Sequence, residues 1–421
     1  MGQCTHQELI SHGISLRRAL LIYIVVGLFL LFEMALQVSP SVLTNELMTQ
    51  VKTNNLGLGI ISGSYFITYS LAQIPAGFLF DRVHVKKVIP VCLVICSLGS
   101  LLLGLAQNFW IATMARMITG FGSSFAFIGL LVTASDLFKR RCFVLFAGIA
   151  QLIAAIGATS GQIPLGHLKA FLSFKEIMLF FALLGIILAV LTFLLGQYPK
   201  VFHENEKIGG LFKLIKEFLS IAGRRETIII SLYASSLWAP MSAFASLWGV
   251  PFLISHGYTV PESAGLVSLV WFGIGFGAPL LGFFAGRFSS TLFLIRLLPI
   301  IGIISFGSIL LFKLHFIPLG ILLFLVGVSS VGQVLSFDIV RSNNSESKKG
   351  LAISLNNMAI VLSGFILQPL IGLIVQTGNW GAASKQNITL GLSVLLLTYL
   401  IAIVLGQYIR INAAPEDSAG S

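Results

Sequence analysis

The feature that most constrains this chain is a series of long, unbroken apolar runs that recurs from one end to the other. Twelve stretches qualify, at about 19–39, 56–80, 86–106, 109–135, 142–165, 175–197, 226–253, 263–286, 292–313, 317–340, 350–376 and 387–410. Each supplies the ~20 apolar residues that a helix needs to cross ~30 Å of hydrocarbon. The runs are continuous rather than alternating, so helices are expected and not the strands of an outer-membrane barrel. The first run is too long for a signal-peptide core, and Ser39-Pro40-Ser41 lacks a cleavage pattern, so this span is expected to be retained. Only 10% of the residues are charged, less than half of the ~25% with which a soluble domain solvates its surface. A soluble enzyme, a disordered chain and a disulfide scaffold are all excluded. The expected fold class is an all-α membrane protein.

Orientation follows from Lys and Arg, which concentrate on the cytoplasmic side of membrane proteins. With the N-terminus inside, twenty basic residues fall in inner segments and five (Lys52, Lys169, Lys175, Lys313 and Lys385) in outer ones; Arg116 lies within a span. Both termini are therefore expected in the cytoplasm. The net charge of +11 is a topology signal, and no nucleic-acid partner is expected. The longest polar interruption divides the spans six and six. The expected organisation is a cytoplasmic segment 1–18, a six-helix bundle 19–197, a linker 198–225, a second bundle 226–410 and a tail 411–421. The linker holds an amphipathic stretch, Leu211–Leu219, expected to lie on the inner membrane surface.

The two halves are weakly alike at an offset of about 205 residues. Gly77-Phe-Leu-Phe-Asp81-Arg82 leaves span 2 as Gly282-Phe-Phe-Ala-Gly286-Arg287 leaves span 8. Pro164-Leu165 falls on Pro369-Leu370, and Asp136 and Asp338 end spans 4 and 10 just before basic residues. These matches at a near-constant offset, 205 for the first two stretches and 202 for the aspartates, point to a duplicated six-helix unit, an architecture of transporters. The stretch from Gly77 through Asp81, Arg82, His84, Lys86 and Lys87 resembles the helix 2–3 signature of the major facilitator superfamily, with His84 where the family has a second Gly. Arg116 followed by Gly120 and Gly122 is similar to the family's helix-4 motif. The Gly-rich motif of drug antiporters is not present in clean form in span 5, which reads Gly157-Ala-Thr-Ser-Gly161-Gln162-Ile-Pro164. The N-terminal half looks most like bacterial permeases related to lysosomal dipeptide and phagosomal nutrient transporters. The resemblance implies two pseudo-symmetric six-helix bundles with a central cavity lined by helices 1, 4, 7 and 10. It also implies a cytoplasmic gate, here Gly77, Asp81, Arg82, Lys86, Lys87 and Asp136, with Arg287 and Asp338 as the second-half counterparts.

Ionisable groups inside a span are costly and mark function by default. Two lie deep, Glu33 and Arg116. Counted from Arg18 at 1.5 Å per residue, Glu33 is about 22 Å along its helix. Counted from the interfacial Trp110, Arg116 is about 9 Å below the outer edge. The depths match, so the two are expected either to line the cavity and bind substrate or proton, or to lock two helices as an ion pair, or not to meet. Gln37, the stripe Tyr65, Tyr69 and Gln73, and Trp238, Gln333, Asn356 and Asn357 complete the candidate lining. Cys92 and Cys96, one turn apart without further ligands, read as packing residues, and no metal site or cofactor is expected. The seven His are scattered at helix ends and in loops, and no nucleotide-binding loop of the G-x-x-x-x-G-K-[ST] type occurs. A membrane enzyme and an ATP-driven pump are therefore set aside; a non-transporting sensor remains the other class. The expected function is secondary active transport by alternating access in a bacterial inner membrane, carried out by a monomer. A small organic solute (an amino acid, short peptide or organic acid) would be imported with protons. Export of a drug or siderophore and facilitated diffusion are the rival readings.

Overall fold

The computed structural model describes residues 15–139, 143–196, 218–285, 291–344, 349–378 and 384–410. Among these, eleven helices are long and apolar enough to cross a membrane. A twelfth, Asn55–Arg82, is 28 residues long, or about 42 Å. Its apolar density is diluted by Ser62, Ser64, Tyr65, Thr68, Tyr69, Ser70 and Gln73, side chains that it turns largely toward other helices. We number the long helices 1–12 in chain order.

Helix 1 is Leu16–Val38 and runs into a 3-10 turn, Ser39–Ser41. Helix 2 is Asn55–Arg82, helix 3 Val85–Gly104, and helix 4 has two pieces, Phe109–Ser123 and Phe125–Leu137. Helix 5 is Phe143–Ser160 with a short continuation, Ile163–Leu168, and helix 6 is Phe174–Leu195. Helix 7 passes from Arg225–Ala239 through a π-helical segment, Pro240–Trp248, into Gly249–Ser255. Helix 8 is Val260–Ala285, helix 9 Thr291–Leu311, helix 10 Phe316–Ser329 with Val331–Ser342, helix 11 Lys349–Thr377 and helix 12 Lys385–Gly406. A short helix not expected from the sequence, Thr44–Val51, connects helices 1 and 2. Side chains close several helix starts where the chain enters the apolar region. Asn54 accepts from the Gly57 N–H, Asn108 from the Ile111 N–H, and Ser173 forms a capping box with Glu176, satisfying amides that lipid could not.

Lipid tails are as apolar as leucine, so helices in a bilayer associate by close packing at small residues. Gly120 of helix 4 sits against the Tyr65 carbonyl and Thr68 of helix 2; Gly327 of helix 10 sits against the Val270 carbonyl and Gly273 of helix 8. The offset of about 205 that relates the sequence matches also relates these contacts. It further relates the interruptions of helices 4 and 10, at Ser124 and Ser330. The halves are thus built alike in packing as well as in sequence. They meet along two seams, helix 2 on helix 11 and helix 5 on helix 8. On the first seam, Gly59 and Gly63 abut helix 11 around Pro369, Gly372 abuts Asn55, and Gln376 accepts from the Leu56 N–H at 3.2 Å. Toward the basic ends of the same helices, Gly77 and Gly350 face open space. The halves are therefore sealed at the ends that the charge bias places outside.

Gly77 and Asp81 lie near the C-terminal end of helix 2, and the Asp81 side chain is outside the described residues, as is Arg287. The amphipathic stretch 211–219 also falls almost wholly outside them. His84, which stands in place of the family's glycine, has φ −63° and ψ 137° and needs no glycine. Its Nδ1 accepts from the Lys86 N–H at 3.0 Å, so the substitution supplies the cap of helix 3.

Candidate functional site

Glu33 and Arg116 are each only 1% exposed, and they form no direct ion pair, so of the three alternatives the lock between two helices is the one the structure does not contain. Tyr65 of helix 2 stands between them. Its hydroxyl donates to Glu33 Oε1 at 2.8 Å, and its ring lies 4.8 Å from the Arg116 guanidinium carbon. Such a cation–π seat in a dry site is worth about 2 kcal/mol. The reason the ion pair does not form is local to helix 1. That helix ends at Val38, and its last carbonyls have no partner within the helix. Arg116 Nη1 donates to the Leu36 carbonyl at 3.0 Å, and Nη2 to the Gln37 carbonyl at 3.2 Å. A cation at a helix C-terminus also meets the negative end of the backbone dipoles. Arg116 is thus engaged as the cap of helix 1. One polar atom of each member has no partner: Glu33 Oε2 and Arg116 Nε.

The other candidate residues separate into those that join the halves and those that stand by themselves. Gln37 Nε2 donates to Ser246 Oγ of helix 7 at 3.2 Å. Asn357 Nδ2 of helix 11 donates to Gln73 Oε1 of helix 2 at 2.8 Å, and Gln73 donates onward to the Ser124 carbonyl at 3.4 Å. Tyr65 and Tyr69 lie with ring centroids 5.8 Å apart and, together with Phe66 and Val361, form a small aromatic cluster distinct from the main core. In the second half, half-buried Trp238 meets Trp271 of helix 8 edge to face at 6.3 Å. Asn356 Nδ2 donates to Ser336 Oγ at 2.8 Å, leaving Asn356 Oδ1 without a partner, as is Trp271 Nε1. Gln333 is buried. At the basic end, Lys86 stacks over Phe193 at 5.6 Å, Arg82 and Lys87 are exposed, Asp136 is buried and Asp338 is exposed. Among the described residues no group of three His, Cys, Asp or Glu is placed to hold a metal ion.

Sequence reasoning missed a polar knot around the π segment of helix 7, every residue of which is buried. Gln162, at the break in helix 5, donates to the Ala245 carbonyl at 2.7 Å and to Ser41 Oγ at 3.3 Å, and accepts from Ser268 of helix 8 at 3.2 Å. Gln368 of helix 11 donates to the Ser242 carbonyl at 2.6 Å. In the π register Ser246 Oγ reaches back five residues to the Met241 carbonyl at 2.8 Å. Such wide turns are rare and gather at functional sites. The signal available in the sequence was the Gly157–Gly161 pair, one turn apart: both lie against the backbone of helix 1, at Leu31 and Ala35. Their close approach brings Gln162 to the end of helix 1.

This arrangement has relatives. The chain superposes on a bacterial homolog of the human lysosomal transporter Spinster, in an inward-facing and unoccupied conformation, with a TM-score of 0.74 at 16% identity; the match covers 94% of this chain and 98% of that one, and shows a shared fold. It is 23% identical over 314 residues to YdgK of Bacillus subtilis, an uncharacterized MFS-type transporter, covering 72% of this chain and 76% of that protein. It is 27% identical over 179 residues to the multidrug efflux pump SdrM of Staphylococcus aureus, covering 40% of this chain. The chain spans 19% and 39% of the lengths of two efflux pumps that it matches in this way. The sequence profile of the Major Facilitator Superfamily matches residues 22–368. With that match over most of its length, and with the fold to accompany it, the chain belongs to the Major Facilitator Superfamily and is a multi-pass membrane protein.

Proposed function

We propose that the chain is a proton-coupled importer of a small organic solute of the amino acid, short peptide or organic acid class, acting as a monomer in a bacterial inner membrane. The observation that carries this reading is Glu33, a buried acid with one oxygen held by Tyr65 and the other without a partner. A buried carboxylate with an unsatisfied oxygen is costly, and a proton or a substrate ammonium relieves that cost. Arg116 gives two of its five N–H donors to helix 1 and keeps Nε without a partner. Tyr69, Gln73, Trp238, Gln333, Asn356 and Asn357 surround the solute, and the Asp81 loop with Asp136 forms the cytoplasmic gate. The test is uptake into proteoliposomes under an imposed pH gradient, with Glu33→Gln beside the wild type. Gradient-driven accumulation of a solute from these classes by the wild type, and none by the variant, supports the reading. Equal accumulation by both refutes the role of Glu33.

Export is the second reading, and the relatives named as efflux pumps favour it. Inside-out vesicles that accumulate a test solute only when it starts on the cytoplasmic side would establish it.

A further inference from the structure

A polar cavity lies at the ends of helices 7 and 10 that the charge bias places inside. Arg224, Glu226 and Thr227 at the start of helix 7 and Asn343 and Asn344 just past helix 10 line it. Asn343 Nδ2 donates to the Arg410 carbonyl at 2.9 Å, which brings the segment after helix 12 to the same wall. Helix 7 runs 15 residues before its π segment and starts without a side-chain cap. The N–H groups of its first turn have no carbonyl within the helix to meet, and the positive end of its dipole lies at the cavity. Thr227 is 6% exposed, and its hydroxyl, on the cavity wall, makes no hydrogen bond among the described residues. One turn further along the same face, buried Ser231 also has a hydroxyl without a partner. Hydroxyls inside a helix ordinarily return their proton to a carbonyl one turn back, as those of Thr113, Thr119 and Thr133 do. For Thr227 that carbonyl would belong to Gly223, before the helix begins; Ser231 has one within the helix and does not take it. Buried hydroxyls left unmet are costly, so two in succession point to an acceptor that the chain itself does not supply. Arg224 Nη1 reaches Asn344 Oδ1 only at 3.5 Å, a contact long enough to yield to a better acceptor.

We infer that this cavity binds a phosphate group at the inner membrane surface, where phospholipid headgroups and free phosphate both present one. First-turn amides of helix 7, the Thr227 hydroxyl and the Arg224 guanidinium are the donors. Amides at a helix start and a guanidinium fork are the groups that suit phosphate oxygens. Exposed Arg225, Arg341 and Arg410 add positive charge around the rim, against exposed Glu226 and Asp338. Glu226, the acid on the wall, is itself engaged, and its exposure leaves its charge screened by water and salt. The cavity lies about 16 Å along helix 7 from Trp238, apart from the candidate solute-binding residues, and it does not depend on the reading of Glu33. A bound phosphate completes the start of helix 7 and so stabilises the folded second half.

Thermal unfolding of the full-length protein in neutral detergent tests it, with dioleoylphosphatidylglycerol as the probe and inorganic phosphate in a separate arm. The lipid should raise the melting temperature in a saturable way, because a ligand that binds only the folded state stabilises it. Dioleoylglycerol, with the same chains and no phosphate, should not. Arg224→Gln and Thr227→Val should each raise the half-saturating lipid concentration by about 10-fold, the cost of one hydrogen bond to a charged group. Arg17→Gln removes an exposed positive charge at the inner end of helix 1 and should change it by less than about 2-fold, since a distant surface charge is screened. Without any probe, Thr227→Val and Ser231→Ala should melt no lower than the wild type, since neither hydroxyl has a bond to lose. A response to the phospholipid alone supports the site with a headgroup as the source of the phosphate. A response to inorganic phosphate that the same two variants weaken supports it with the free anion as the source. No response to either probe overturns the inference, as does a loss in Arg17→Gln equal to that in Arg224→Gln. A Thr227→Val protein that melts well below the wild type without a probe also overturns it, by showing that the hydroxyl is already bonded. Should Arg224→Gln fail to fold, Thr227→Val decides the matter.

Discussion

Helix 1 and helix 7 occupy equivalent places in the two halves, yet they complete their outer ends by different chemistry. Helix 1 ends in a 3-10 turn and has its last carbonyls capped by a charged side chain, Arg116. Helix 7 widens into a π segment whose carbonyls are met by neutral amides, Gln162 and Gln368. At the repeat positions the contrast is sharper still. Glu33 falls opposite Trp238, and Arg116, four residues before Gly120, falls opposite Leu323, four before Gly327. The first half therefore carries the charge that can respond to a proton or ligand. The second half carries a wide, amide-held turn that can be released. Duplication gave both halves one packing scheme, and their polar residues differ: a buried acid and a guanidinium in the first, neutral amides around a wide turn in the second.

Substitutions can break or sharpen this contrast. The largest effect is expected at Glu33: Glu33→Gln should abolish gradient-driven accumulation in proteoliposomes, whereas Trp238→Phe, its repeat counterpart, should only change the half-saturating concentration a few-fold. Arg116→Leu, which copies the second half, should leave the Gln37 carbonyl without Arg116 and the Leu36 carbonyl with the Ser39 hydroxyl alone. A loss of about 1–3 kcal/mol should then appear as a lower melting temperature in detergent, and an unchanged one would show that helix 1 does not need Arg116 as its cap. Gly120→Ala and Gly327→Ala each push a methyl group against a backbone carbonyl. Both should destabilise by about 1–3 kcal/mol, and strongly unequal melting shifts would show that the duplicated contacts are not energetically alike. The smallest effect is expected for Gln162→Leu, about 1 kcal/mol in stability. It should nonetheless speed hydrogen–deuterium exchange in helix 7, and a silent result would show that Gln162 does not hold the π segment. Asp81→Asn, at the opposite end, should slow transport while leaving substrate affinity within a few-fold, and an unchanged rate would refute a gating role for Asp81.

Much of this molecule is determined by composition and spacing. Apolar runs of membrane length dictate helices, because backbone amides in hydrocarbon must bond within their own segment. The match of Gly77–Arg82 to Gly282–Arg287 in sequence foreshadowed a duplication that reappears in the Gly120 and Gly327 contacts. Glu33 and Arg116 stood out because a charge in a span needs a reason. The tertiary structure alone decided what those charges do. Matching depth made an ion pair plausible, but depth along two helices says nothing of which face each side chain takes or of what else competes for it. Arg116 went to the open carbonyls of helix 1, because a fork of donors satisfies two of them at once. Tyr65 entered between acid and base because Gly120 lets helix 4 approach helix 2 at that residue. The π segment of helix 7 left no mark in hydropathy, since its residues are apolar or small like their neighbours. Glutamines far apart in the chain converge on it, Gln162 and Gln368 on its carbonyls and Gln37 on the Ser246 hydroxyl, and such convergence is a property of the folded arrangement alone.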